Sequence, residues 1–186
     1  MSVRGTLRRH RFIGAVVSLS ASVALASTLS ACSGDDPPEK AYTVPTSLCG
    51  IPVDPALVKA ALPGGDSIST AASKPNGGTT RCSVSVDGKA ALSLTQAWWS
   101  EGQTTATVSE GYADTDDGTL SDDGRFVHTG KAAVGKTASS CTSSDQPEQD
   151  LYAVVQVLDS GVDDEAAMKS LITDYTKAVE RSAACR

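Results

Sequence analysis

The chain has 186 residues, of which 40% are apolar and only 4% aromatic, a composition that predicts one domain with a modest core. Its net charge of −6 argues against a nucleic-acid partner, because an acidic surface repels phosphates. The same charge would be repelled by an anionic membrane surface, although acidity can also serve only to keep a small exported protein soluble.

The first 31 residues have the organisation of an export signal. Four arginines lead into an apolar run over residues 12–29, and no acidic residue precedes Cys32. The segment Leu29-Ser30-Ala31-Cys32 resembles the lipobox of bacterial lipoproteins, in which the signal is cut before the cysteine and its thiol is diacylated. We therefore predict a lipoprotein signal peptide over 1–31 and lipidation of Cys32. A plain secretory cut near Ala26 or Ala31 stays open.

This assignment predicts the cellular location and the net charge of the chain that remains after cleavage. The protein is expected on the outer face of the cytoplasmic membrane, anchored through lipid, with residues 32–45 as a flexible tether rich in helix and strand breakers. The four arginines before Cys32 belong to the 16 basic residues, so 12 remain against 22 acidic residues, a net charge of −10.

Residues 46–186 are predicted to form a single disulfide-bonded α+β domain. We expect an antiparallel sheet of about five strands packed against a C-terminal helix, with a short N-terminal helix. Asp54 as an N-cap before Pro55 predicts that short helix over 56–62. A strand is expected over 67–72. Alternating apolar residues on both sides of Asp87-Gly88 then predict a β-hairpin with a two-residue turn.

The second half of the domain continues the pattern. The hairpin should run to Trp98 or Trp99, and further strands are expected over 104–112, 125–129 and 134–140. An acidic loop over 114–124 lies between them. Residues 151–158 are almost all apolar, which predicts a central buried strand. Acidic residues at 163–165, followed by apolar residues at helical spacing, predict the C-terminal helix.

With Cys32 assigned to lipid, four cysteines remain, Cys49, Cys82, Cys141 and Cys185. An even number in an exported chain indicates two disulfides, and four cysteines allow three connectivities that sequence alone cannot separate. We favour Cys49–Cys82 and Cys141–Cys185, because each closes a loop within one half of the domain. A zinc site is disfavoured, since no two of these cysteines are close in sequence.

Residues 130–137 match the phosphate-binding pattern G-x-x-x-x-G-K-[ST]. A true P-loop needs a following helix whose N–H groups meet the phosphates, whereas this segment leads through Thr, Ser and Ala to Cys141. We therefore interpret the two glycines as shaping a loop between strands, and we predict no cofactor.

The acidic loop and His128 are the other two candidates for a functional site, as a calcium site and as a catalytic base. The acidic loop offers oxygen ligands that suit calcium, but Gly118 comes one place early for the EF-hand pattern and Arg125 stands in the closing region, so we predict no metal site. His128 is the only histidine after Cys32, and no serine lies in a G-x-S-x-G motif. A structural histidine is favoured, although an envelope hydrolase using carboxylates or His128 stays open.

Trp98 and Trp99 are the candidate binding residues. Adjacent side chains of a strand point to opposite faces, so one tryptophan can lie in the core while the other is exposed. An exposed tryptophan beside Gln96 and Glu101 could contact a ligand. Coverage of the second tryptophan by a helix or a loop is the favoured interpretation.

Several segments together resemble the small exported lipoproteins of actinomycetes: residues 48–54 (LCGIPVD), residues 81–84 (RCSV), the late Cys141 and the terminal helix ending in Cys185. The resemblance implies a disulfide-bonded α+β domain that serves as a binding or sensing module, and it assigns no catalytic or ligand residue. We expect a non-enzymatic envelope lipoprotein with an extracellular ligand or an envelope protein as partner. A hydrolase or a purely structural lipoprotein are the alternatives.

Overall fold

The computed structural model describes residues 38–185. The predicted signal peptide and Cys32 lie outside this range. Within it, no helix combines the length and the apolar character that crossing a bilayer requires. The α+β class and the C-terminal helix are confirmed, and the main sheet has seven strands where about five were predicted.

The elements follow each other in a simple order. Two short paired strands, β1 (Ser47–Leu48) and β2 (Ile51–Pro52), precede helix α1 (Pro55–Ala61). Helix α2 (Thr105–Ser109) lies in the middle of the chain, and helix α3 (Glu165–Glu180) leads into a final 3-10 turn, Ala183–Cys185. The strands of the main sheet are β3 (Ile68–Asn76), β4 (Thr79–Val86), β5 (Lys89–Ser100), β6 (Thr119–Leu120), β7 (Phe126–His128), β8 (Ala132–Lys136) and β9 (Gln149–Val157).

The main sheet is antiparallel throughout, in the order β3-β4-β5-β9-β8-β7-β6. Strand β9 lies at its centre, and residues 151–155 of that strand are fully buried, as its apolar composition predicted. The last strand in the chain therefore joins the β3-β4-β5 meander to the β6-β7-β8 meander. Both outer strands, β3 and β6, have one unpaired edge in this sheet.

Local sequence signals account for the elements that were predicted correctly. Asp87 and Gly88 both have positive φ, 48° and 75°, which the two-residue hairpin turn requires. Asp54 caps α1 by accepting a hydrogen bond from the N–H of Ala56 at 2.8 Å. Asp164 caps α3 in the same way through Ala167 at 3.0 Å. The apolar stripe of α3 packs on the sheet, and its buried members are Met168, Leu171, Ile172, Tyr175, Ala178 and Val179.

Two sequence predictions were wrong. The strand expected over 104–112 is instead helix α2, because the Thr104 hydroxyl accepts the Thr107 N–H at 3.0 Å and starts a helical turn. The flexible tether expected to reach residue 45 ends earlier. Tyr42 and Val44 are both only 5% exposed, and the backbone of Lys40 pairs with Gly65. Apolar side chains beyond the breaker-rich segment therefore belong to the folded domain.

Candidate functional site

Both favoured disulfides are present in the structure. Cys49, in the turn between β1 and β2, is bonded to Cys82 in β4, and Cys141 is bonded to Cys185 in the final 3-10 turn. Their Cα–Cα separations are 5.7 and 4.4 Å. The first bond ties the N-terminal segment to the sheet, and the second fixes the end of the α3 region against the segment that follows β8.

The two faces of the sheet have different coverings. On one face, Leu92 and Leu94 pack against α3, and the Gln96 amide lies 3.5 Å from the Tyr175 hydroxyl of that helix. On the opposite face, a smaller cluster joins Val108 of α2 to Val134, Tyr152 and Val154. That cluster leaves the β4–β5 part of the second face without a helix above it.

Trp98 and Trp99 lie on these two opposite faces, as their adjacent positions in a strand predicted. Trp98 packs at the margin of the α3-side core, and Trp99 packs at the margin of the α2-side cluster. Both side chains are half-buried, so neither indole is wholly in the core and neither is fully exposed. The reason is their place at the end of β5, where neither core extends far enough to cover a whole indole.

A cleft of about 410 Å³ lies beside Trp99, and we call it the aromatic cleft. Its floor includes Thr95 and Ala97 of β5, and Arg81 of β4 lies directly opposite Thr95 in the strand register. Tyr112, in the segment after α2, lies on its other side. Strand alternation places Thr95, Ala97 and Trp99 on one face, and α2 brings Tyr112 to them.

The aromatic pair of this cleft is held in place by close contact. The rings of Trp99 and Tyr112 have centroids 6.4 Å apart and are inclined by 55°. A Cβ at Gly111 would lie 3.0 Å from the edge of the Trp99 ring, so a glycine lets the backbone approach the indole. Burial raises the pKa of the Tyr112 hydroxyl, and the interaction with Trp99 and the positive charge of Arg81 oppose that rise.

Thr95 is the unusual polar residue of the cleft. It is 1% exposed, and its hydroxyl has no hydrogen-bond partner among the described residues. Leaving a buried hydroxyl unpaired costs about 1–3 kcal/mol, so native proteins seldom contain one. The Thr176 hydroxyl and the Nδ1 atom of His128 are also buried without a hydrogen bond, but neither residue lines the aromatic cleft.

A second cleft, of about 440 Å³, lies on the Trp98 side near the end of the chain. Lys74, Gln96, Asp145 and Gln146 give it a mainly polar lining. The Gln146 amide donates to the carbonyl of Gly77 at 3.1 Å, so part of this lining already serves to hold two loops together. The aromatic cleft therefore has the stronger combination of ring surfaces and an unpaired polar group.

The segment that matches the P-loop pattern has a different structure. Residues 132–136 form strand β8, so the match is not a phosphate-binding loop, and the interpretation as a loop between strands was also wrong for these residues. The Lys136 ammonium lies 2.8 Å from the Asp150 carboxylate and donates to the Gln103 carbonyl at 3.1 Å. Gly135 lies under α3, where a Cβ would collide with the Thr176 hydroxyl. Packing therefore explains these residues.

His128 and the acidic loop likewise have structural roles. His128 is 4% exposed in β7, with Nδ1 3.3 Å from a carboxylate oxygen of Glu165 on the first turn of α3. In the loop, the Asp123 carboxylate accepts from the Ser121 hydroxyl at 2.6 Å and from the Arg125 N–H at 3.1 Å, which shapes a turn. Across residues 38–185, no three His, Cys, Asp or Glu side chains are grouped so that they could hold a metal ion.

Sequence reasoning identified Trp99 but missed Arg81, Thr95 and Tyr112. Arg81 lies in β4 and Thr95 in β5, and both strands have alternating polar and apolar residues. Their pairing depends on the register between these strands, which shifts by one residue at a bulge between Val84 and Ser85. The position of Tyr112 depends on α2, which was predicted to be a strand. The one sequence signal that could have identified Thr95 was a threonine at an inward-facing position of a long, mostly apolar strand.

No protein-family model, curated protein or solved structure matched the chain.

Proposed function

We propose that this protein is an exported, lipid-anchored envelope lipoprotein whose domain binds a ligand without transforming it. The observation that carries the binding function is the aromatic cleft, in which the half-buried rings of Trp99 and Tyr112 lie beside the guanidinium of Arg81 and the buried, unpaired Thr95. Ligand sites commonly combine ring surfaces with a few converging polar groups in this way.

The composition of the cleft favours binding over hydrolysis. Among the described residues that line it, there is no carboxylate, imidazole or thiol. General acid–base catalysis near neutral pH usually relies on one of these groups, positioned within hydrogen-bond distance of the reacting atoms. His128, which contacts Glu165 at the start of α3, lies outside this cleft.

The proposed location is supported by two independent features of the chain. The segment Leu29-Ser30-Ala31-Cys32 has the lipobox pattern after a basic and apolar leader. The two disulfides suit an oxidising compartment outside the cytoplasm, because thiols are kept reduced inside. A net charge of −10 after cleavage would also hold the domain away from anionic headgroups, so that the anchor supplies the membrane attachment.

Membrane attachment is tested by changing Cys32. We expect the unaltered protein to fractionate with membranes and to incorporate labelled palmitate, and we expect Cys32→Ala to abolish the labelling. Cys49→Ala combined with Cys82→Ala is the matched control, because it removes cysteines without removing the proposed lipid site. Palmitate labelling that persists in Cys32→Ala would contradict the proposal.

A further inference from the structure

Resting on the proposed binding function, we infer that the aromatic cleft binds a sugar ring that bears one carboxylate, such as a hexuronate. In this arrangement Trp99 and Tyr112 contact the C–H face of the sugar, Arg81 binds the carboxylate, and the Thr95 hydroxyl pairs with a ring hydroxyl. The inference depends on how these four side chains are brought together, and each supplies a different part of the recognition.

Arg81 supplies the charge. Its side chain is exposed, and it forms no ion pair within the described part of the chain, although the domain is strongly acidic. The aromatic cleft beside it contains no carboxylate that could compensate the guanidinium. A guanidinium binds a carboxylate through two parallel N–H···O hydrogen bonds, which fixes the orientation as well as the charge of the ligand.

Trp99 and Tyr112 supply the surface on which a ring can lie. Both side chains are half-buried, so each has one part fixed in the protein and another part facing the cleft. Their inclination of 55° makes an open angle instead of a closed stack. A pyranose has an apolar C–H face and a rim of hydroxyls, and aromatic side chains with a polar tip suit such an amphipathic ligand.

Thr95 supplies the unpaired hydrogen-bonding group. Thr95 lines the cleft floor next to its register neighbour Arg81 on the same face, and its hydroxyl is buried just beneath that floor without a partner among the described residues. A ligand hydroxyl that reaches this group would relieve the cost of leaving it unpaired. Thr79 and Asn76 line the same cleft and add further hydrogen-bonding groups for the hydroxyl rim.

Size and charge separate this ligand from two other classes. A cleft of about 410 Å³ lies at the small end of the range of about 300–1,000 Å³ for small-molecule sites, which suits a ligand of the size of a sugar. A nucleoside di- or triphosphate carries several negative charges, whereas Arg81 is the only cationic residue among the described lining residues. A single carboxylate is matched by a single guanidinium.

The test is calorimetric titration of the full chain, extracted from membranes in a detergent without a sugar headgroup. The probes are D-glucuronate, D-glucose, which lacks the carboxylate, and benzoate, which has a ring and a carboxylate but no hydroxyls. We expect saturable binding of D-glucuronate. Binding of the other two should be weaker by about tenfold or more, the effect of losing a charged hydrogen bond or the hydroxyl contacts.

Variants assign the effect to the cleft. Arg81→Gln should weaken D-glucuronate binding by about tenfold and leave the smaller glucose affinity unchanged. Lys89→Gln, at the far end of β5, removes the same charge from the same sheet and should change neither affinity.

Thr95→Val should weaken the binding of both sugars by about three- to tenfold without lowering the denaturation midpoint, because it removes a buried unpaired hydroxyl. Thr70→Val on exposed β3 is its control.

Three results would overturn the inference. They are equal affinity for D-glucuronate and D-glucose, equal affinity for D-glucuronate and benzoate, and an Arg81→Gln effect that Lys89→Gln reproduces. If none of the probes binds while the protein still carries palmitate at Cys32, the sugar inference fails and the anchored lipoprotein remains. If palmitate labelling does not depend on Cys32, the proposed anchor fails, whatever the titrations give.

Discussion

The Asp87 carboxylate accepts hydrogen bonds from both the backbone N–H and the hydroxyl of Ser67, at 2.8 and 2.9 Å. It also accepts from the N–H of Asp66 at 3.1 Å. The turn of the β4–β5 hairpin thereby holds the chain that enters the edge strand β3. These bonds favour the charged form, and they lower the pKa of Asp87 below its usual 3.8, with the backbone N–H of Ser67 as the largest cause.

A pH dependence follows from this lowered pKa. The contribution is fully present above 3.8, the value in the unfolded chain, and is lost as the pH falls through the lower folded pKa. We therefore expect Asp87→Asn to be less stable than the parent at pH 6 and to lose less stability between pH 6 and pH 2. Asparagine keeps the positive-φ turn, so the comparison isolates the charge.

Urea denaturation at both pH values measures this effect. Asp122→Asn is the matched control, since that carboxylate is in an exposed turn and accepts no hydrogen bond from the residues described here. Parallel loss of stability in Asp87→Asn and the parent over this pH range would show that the carboxylate does not contribute as its contacts indicate.

The two disulfides should make separate and similar contributions to the free energy of unfolding. They close loops with sequence separations of 33 and 44 residues. On the chain-entropy account, replacing either pair with serine should cost about 3–4 kcal/mol. Chemical denaturation of Cys49→Ser/Cys82→Ser and of Cys141→Ser/Cys185→Ser measures each cost. A loss below about 1 kcal/mol for either pair would contradict this expectation.

Gly135 should be required for the packing of α3 on the sheet. An added Cβ would collide with the Thr176 hydroxyl and lie 3.1 Å from two atoms of the Phe126 ring. We expect Gly135→Ala to cost about 1–3 kcal/mol, as overpacking does. In a double-mutant cycle, Thr176→Ala should recover part of that loss, because it removes the hydroxyl that the new methyl group meets.

Thermal or urea denaturation of the four proteins in that cycle gives the coupling energy. Gly124→Ala is unsuitable as a control because φ there is 69°, whereas Gly77 has open space around its Cβ position and ordinary φ. Gly77→Ala should therefore change stability far less than Gly135→Ala. Additive costs in the cycle would mean that the close contact with Thr176 is not what excludes a side chain.

Tyr175 should limit stability at alkaline pH. The side chain is 1% exposed, and burial raises the pKa of its hydroxyl from 10.0 to about 12. The buried neutral form is favoured, so its contribution is complete below pH 10 and is lost as the pH rises from 10 towards 12. Two pKa units correspond to about 2.7 kcal/mol, which sets the scale of this loss.

Stability measured between pH 8 and pH 11.5 tests this expectation. Tyr175→Phe keeps the ring and removes the ionising hydroxyl, so its alkaline loss of stability should be smaller than that of the parent. The variant also loses the contact between the hydroxyl and the Gln96 amide, which should lower stability by about 0.5–1.5 kcal/mol at pH 8. An unchanged alkaline slope would place the alkaline loss of stability elsewhere, for example at Tyr152, whose pKa burial also raises.

Elements with short-range signals were predictable from the sequence. The caps at Asp54 and Asp164, the Asp87-Gly88 turn and the apolar run of β9 each depend on neighbours within a few residues, so the pattern alone defined them. The favoured pairing of the four cysteines is confirmed, although the sequence alone left three connectivities open. The predicted lipidation of Cys32 depends on sequence alone, and this residue lies outside the described residues.

The tertiary structure decided the features that depend on distant contacts. Residues 104–112 alternate like a strand, yet a single cap at Thr104 turns them into α2, which delivers Tyr112 to Trp99. The glycine and lysine of the P-loop pattern became packing and ion-pair residues because their partners come from α3 and β9. Arg81, Thr95 and Tyr112 meet only when strand register and helix placement are both set, and local spacing contains neither.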